Sequence, residues 1–106
     1  MAATPEKKVK DAVVKVLKQC GVYYFFPVTG GFGRSGVPDI IACHKGNFIG
    51  IECKAGSNKP TALQEAEMAK ISKAGGVCLV VSEKNTEDVL KLLETIDYMR
   101  ELSERN

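Results

Sequence analysis

Three residues of the chain, Asp39, Glu52 and Lys54, have the types and the spacing from which a divalent-cation site is built. Glu52 and Lys54 stand two apart in "GIECKAG", so on a strand they emerge from one face while Ile51 and Cys53 face the other way. Asp39 opens "DIIACH", which is followed by a short "KGN" turn. Pairing the two segments as a hairpin brings Asp39 towards Glu52 and Lys54. Two carboxylates offer the hard oxygen ligands that Mg²⁺ prefers, and that ion retains waters and accepts phosphate oxygens. An ammonium beside them positions or activates a water, or neutralises charge developing on a phosphate. Two helical residues join the set. Glu6 lies three before Val9 and seven before Val13, on the side of the apolar stripe, where a carboxylate is costly unless paired or metal-linked. Gln64 shares a face with Met68 and Ile71. Each has a plainer reading as well: a first-turn glutamate favoured by the helix dipole, and a rim residue.

The stretch "GGFGRSGVPD" contains a G-x-G-x-x-G from Gly31, Gly33 and Gly36. A dinucleotide fingerprint requires a helix to open at that loop. Here Pro38 biases Val37 to extended geometry and "DIIAC" continues as a strand, which argues against that cofactor. The glycines read instead as a flexible loop that allows a nucleic-acid backbone or a partner strand to approach closely. Its far end presents Asp39.

Elements must position these residues. Thr4 and Pro5 read as an N-cap and first helical residue; Val9, Ala12, Val13, Val16, Leu17 and Cys20 then keep helical spacing until Gly21. Residues 22–28, 39–44 and 48–55 read as strands. A helix is expected from Pro60 or Thr61 to Ala74, stopped by Gly75 and Gly76. "VCLVVS" is a continuous apolar strand of the kind buried on both faces, and "NTEDVLKLLETIDYMREL" an amphipathic helix capped by Thr86. The order is α-β-β-β-α-β-α, a small mixed sheet covered by helices, in a single domain spanning residues 1–106.

Net charge is +2, but residues 1–59 carry nine Lys and Arg against four Asp and Glu, whereas residues 60–106 carry six against nine. A basic first half suits a polyanion. The lysines of the first helix (Lys7, Lys8, Lys10, Lys15, Lys18) read mostly as a solvated face, some of them tracking phosphates. Arg34 and Lys59, in loops flanking the proposed site, are better placed for backbone contacts, with Ser35 assisting. Tyr23, Tyr24, Phe25 and Phe26 read as core, and His44 as a solvated residue near the turn. The four cysteines form no C-x-x-C pair, which argues against a zinc site or a disulfide framework. No apolar run approaches membrane-spanning length and "MAATPEKK" has no apolar signal core, so a cytoplasmic protein without membrane association is expected.

"GVPDIIACHKGNFIGIECKAG" resembles the PD-(D/E)xK nuclease motif: Pro38-Asp39, then Glu52-x-Lys54. The leading helix with Glu6, "TGGFGRSGVPD", "GIECKAG" and Gln64 before "AGG" resemble the VRR-NUC (virus-type replication-repair nuclease) family across nearly the whole chain. The resemblance implies a restriction-endonuclease-like α/β fold, with an αβββαβ core and an extra C-terminal helix. It implies that Asp39 and Glu52 bind Mg²⁺ or Mn²⁺ together with the backbone carbonyl of Cys53. Lys54 would be the catalytic lysine, Glu6 an accessory acid and Gln64 a site-ordering residue. The implied activity is metal-dependent hydrolysis of phosphodiester bonds in DNA. Branched DNA such as a Holliday junction is the implied substrate, and a homodimer suits its two symmetric strands. A compact form of this kind looks phage-like, acting in the host cytoplasm. The alternatives are a non-catalytic nucleic-acid-binding module of the same fold and a nuclease for other DNA or RNA structures.

Overall fold

The computed structural model describes residues 3–28 and 33–105. Thr4, in extended geometry, accepts the Lys7 amide at 3.1 Å and starts helix α1, Pro5–Gln19, with Pro5 in its first turn. Helix α1 buries Val9, Val13 and Leu17. Three antiparallel strands follow: β1 (Tyr23–Phe25), β2 (Ile40–His44) and β3 (Asn47–Cys53). Lys45 and Gly46 link β2 to β3 with φ of 48° and 84°, the two positive values of a type I′ hairpin turn. Helix α2 (Ala62–Lys73) then crosses to β4 (Val77–Val81), which pairs parallel to β3, and α3 (Glu87–Arg105) closes the chain. The sheet order is β1-β2-β3-β4. A mixed four-stranded sheet with three helices is the expected fold class, down to the C-terminal helix.

Register decides the two faces of this sheet. Ile40 pairs with Ile51 and Ala42 with Ile49, so these side chains share one face with Cys53 and Val81. That face forms the core with Val9, Val13 and Leu17 of α1 and Val89, Leu93 and Ile96 of α3. On the opposite face lie Phe25, Ile41, Phe48, Gly50 and, one step past the end of the β2–β3 ladder, Asp39 and Glu52. Helix α2 packs there beside β4 and buries none of its residues. This second face is thus only partly covered.

Four expectations change. The strand expected over residues 22–28 is confined to Tyr23–Phe25, because Pro27 lacks an amide for the ladder. Strand β4 is an edge strand and not one buried on both sides: Val80 is 37% exposed on the face that α2 leaves open. Of the four aromatics, Tyr24 alone packs on the core; Tyr23, Phe25 and Phe26 are 69%, 47% and 46% exposed. His44 is buried, not solvated, and its Nε2 lies 2.7 Å from Oδ1 of Asp97 on α3.

Candidate functional site

Asp39 and Glu52 stand opposite one another because the β2–β3 register, Ile40 to Ile51, continues by one residue. Pro38 is buried over Gly50, where a Cβ would lie 2.9 Å from the proline Cγ, and this contact fixes where Asp39 enters the strand. Asp39 Oδ2 accepts the Cys53 amide at 2.8 Å. On a strand, a residue's N–H and C=O point to the same side, so the Cys53 carbonyl is directed towards Asp39 as well. Beyond it, the Lys54 amide donates to Val81 O at 2.9 Å, and Gly56 N donates to both oxygens of Glu83, which holds the loop after Lys54. Glu6, in the first turn of α1, reaches around the sheet end from the other layer. One carboxylate oxygen each from Glu6, Asp39 and Glu52 lie within 4.8 Å of one another.

Three acids so close must be paid in electrostatic free energy, and Glu52 carries most of it. Its side chain is 1% exposed, and neither Oε1 nor Oε2 meets a hydrogen-bond donor. Burial, then the hydrogen bond that only a protonated Glu52 can give Asp39, then the charge of Asp39 raise its pKa to about 8. Glu6 adds to the rise and the Lys54 ammonium opposes it. A buried carboxylate without a donor is unusual in a folded protein unless something else satisfies it. A divalent cation does so, and the donor set of carboxylates with an adjacent carbonyl suits a hard ion. The Cys53 thiol is no competitor for that ion. Burial and then the charges of Asp39 and Glu52 push it up to about 12, so the sulfur stays protonated.

The remaining residues singled out in the sequence lie elsewhere. Gln64 is engaged in the start of α2: its Oε1 accepts the Thr61 amide at 2.8 Å while Thr61 Oγ1 accepts the Gln64 amide at 3.2 Å, a reciprocal capping box. Arg34 reaches Glu67 on α2 with Nη2 at 3.0 Å and Nε at 3.1 Å. Ser35 and Lys59 are exposed. Gly31 of the glycine-rich loop lies outside the described residues. Gly36, at φ 79°, serves a close approach to α2: a Cβ there would sit 2.6 Å from Leu63 O. Thr4, read in the sequence only as a helix cap, and Lys7 and Lys10, read only among the first-helix lysines of which some track phosphates, line a recess of about 200 Å³ together with Glu6, Asp39 and Cys53. The spacing of Lys10, four after Glu6, was the available signal.

Comparison with known proteins shows the family and the fold. The family described as "Archaeal holliday junction resolvase (hjc)" matches residues 7–104. A phage protein named "Putative nuclease p44", from Acyrthosiphon pisum secondary endosymbiont phage 1, is 35% identical over 82 residues, covering 76% of this chain and 85% of its own. A solved "VRR_NUC domain" superposes with a TM-score of 0.69 over 84% of this chain and 97% of that one, at 24% identity. The last of these shows the fold, which bears out the VRR-NUC resemblance at that level. Since the family match extends over almost the entire length, the chain belongs to the archaeal Holliday junction resolvase (Hjc) family of nucleases.

Proposed function

We propose that this protein is a metal-dependent endonuclease that cuts branched DNA, a four-way junction above all. The observation that carries the reading is Glu52: a buried carboxylate with no donor, facing two further acids at the end of the sheet. Asp39, Glu52 and the Cys53 carbonyl would hold Mg²⁺ or Mn²⁺, with Glu6 at its rim. Bound there, such an ion supplies Lewis acidity towards a phosphate oxygen and a water of lowered pKa.

The chain's own groups do the rest. Asp39 is fixed by the Cys53 amide, so one of its oxygens is committed and the other is oriented. Lys54, whose charge is felt at Glu52, orients the attacking water or stabilises negative charge building on the phosphate. Its backbone bond to β4 holds it at the strand end. Arg34, Ser35 and Lys59 contact the DNA backbone from the flanking loops, Arg34 by exchanging Glu67 for a phosphate. A second copy seats on the open sheet face, where Phe25, Ile41, Phe48 and Ile71 line an apolar groove of about 590 Å³. Two copies related by a twofold axis present two such sites to the two symmetric strands of a junction. The relative from a phage supports a role in the cytoplasm of a host cell.

A cleavage panel tests the substrate. Four-way junction, flap, duplex and single strand are each incubated with Mg²⁺, Mn²⁺ or EDTA. Paired symmetric nicks in the junction, absent from duplex and abolished by EDTA, are expected. Binding without cleavage in every metal would replace this reading with that of a non-catalytic module.

A further inference from the structure

Lys10 projects from α1 into the same recess as Glu6, Asp39 and Cys53. Its Nζ lies 4.1 Å from the centroid of the Phe26 ring, which is 46% exposed beyond the end of β1. Lys7, the other lysine of the recess, has its ammonium 2.8 Å from Asp11 Oδ2. Lys10, among the described residues, forms no ion pair. The two lysines therefore differ in what they can offer an incoming anion. An aspartate competes with an incoming anion for its partner's ammonium. An aromatic face orients an ammonium without neutralising it.

The charge balance of the site calls for such a group. Three carboxylates meet within 4.8 Å, and one divalent cation leaves them with net negative charge where a phosphodiester must approach. Lys54 opposes that charge from the sheet. On the other side, the Lys10 charge acts at Cys53 against those of Asp39 and Glu52. The acidic trio is thus flanked by Lys54 on β3's extension and, on α1, by Lys10 and the Asp11-paired Lys7.

We propose that Lys10, held on the Phe26 ring, grips a DNA backbone phosphate at the rim of the carboxylate cluster, with Phe26 as its positioning residue. This rests on the nuclease reading above and adds to it a contact on α1. The phosphate it takes is one next to the phosphate being cut, because the recess places Lys10 beside the carboxylates and not among the atoms that would ligate the ion.

Three variants test it: Lys10→Met, which keeps the stem and removes the charge; Lys10→Arg, which keeps the charge; and Phe26→Leu, which removes the ring. Affinity for a labelled four-way junction is measured against KCl concentration, with Ca²⁺ in place of Mg²⁺ to permit binding. Lys10→Met is expected to flatten the slope of log K against log salt by about one and to weaken binding about tenfold at 0.1 M. Lys10→Arg should restore both. Phe26→Leu should keep the slope and lose about two- to fivefold in affinity. Stabilisation by Mn²⁺ in thermal unfolding should be unchanged in Lys10→Met, which also verifies its fold. A wild-type slope in Lys10→Met overturns the proposal, and so does loss of the Mn²⁺ effect, which would assign Lys10 to the metal centre. If the wild type cuts junctions while Lys10→Met keeps its slope, this inference alone falls. If the wild type neither binds nor cuts DNA, the nuclease reading falls with it.

Discussion

At the scale of the residue, the site is governed by one carboxyl group. Glu52 holds a proton in the fold up to about pH 8, whereas in the unfolded chain it releases it near 4.5. Between those values the native state binds the extra proton, so metal-free stability should decline as pH rises from about 5 to 8. Glu52→Gln removes that slope, and denaturant midpoints at pH 5.5 and 8 measure it. The variant should be at least as stable as wild type at pH 8 without metal, and should lose any stabilisation by Mn²⁺, which competes with the proton for Glu52. An unaltered pH slope in Glu52→Gln would remove Glu52 from this role. The meeting of Asp39 with Glu52 was legible in the sequence because strand alternation and hairpin register act over a few residues. Gln64 was not. Its spacing placed it on an inward face, but the orphan amide of Thr61 is nearer than any distant site and captures its side chain.

At the scale of the element, loops and helices were easier to read than exposure. Thr4, Pro5, Gly21 and Gly75 mark helix ends through local backbone chemistry, which a sequence displays directly. The fate of β1's aromatics depends on how far α2 covers the second face, which no local pattern encodes. His44 shares the buried face of β2 with Ile40 and Ala42 by strand alternation; its partner there, Asp97, lies far along the chain, and also meets Lys45 at 2.8 Å and so locks the hairpin turn to α3. Those two contacts, Lys45 first, hold the Asp97 pKa below its usual value. The loop before Asp39 is held by backbone proximity. Gly36→Ala meets both a positive φ and the Leu63 carbonyl at 2.6 Å, while Gly21→Ala, at φ 67°, meets nothing within 4 Å. The first should cost about 1–3 kcal/mol and the second about 1 kcal/mol, read from urea unfolding. Equal costs would mean that the loop does not rest on α2 in solution.

At the scale of the whole molecule, one sheet face is finished and the other is not. The α1–α3 face buries a continuous apolar core, whereas the α2 face leaves Tyr23, Phe25 and Phe48 exposed. A stable dimer needs roughly 800 Å² from each partner, and an aromatic patch of this kind would supply the centre of the proposed one. Phe48→Glu should shift the protein to monomer in sedimentation equilibrium and convert paired nicks into single ones; a dimer that survives it would move the interface elsewhere. No helix among the described residues is long and apolar enough to cross a membrane. The cluster of Glu6, Asp39 and Glu52 is proposed to drive DNA cleavage through a divalent ion. The most direct test is the rate of four-way-junction cleavage against Mn²⁺ concentration, for wild type and Asp39→Asn side by side. A saturable rate that falls to zero in EDTA is predicted for wild type, with a loss of at least about 10²-fold in Asp39→Asn at every concentration. Cleavage that persists in EDTA, or a folded Asp39→Asn that cuts at the wild-type rate, would contradict it.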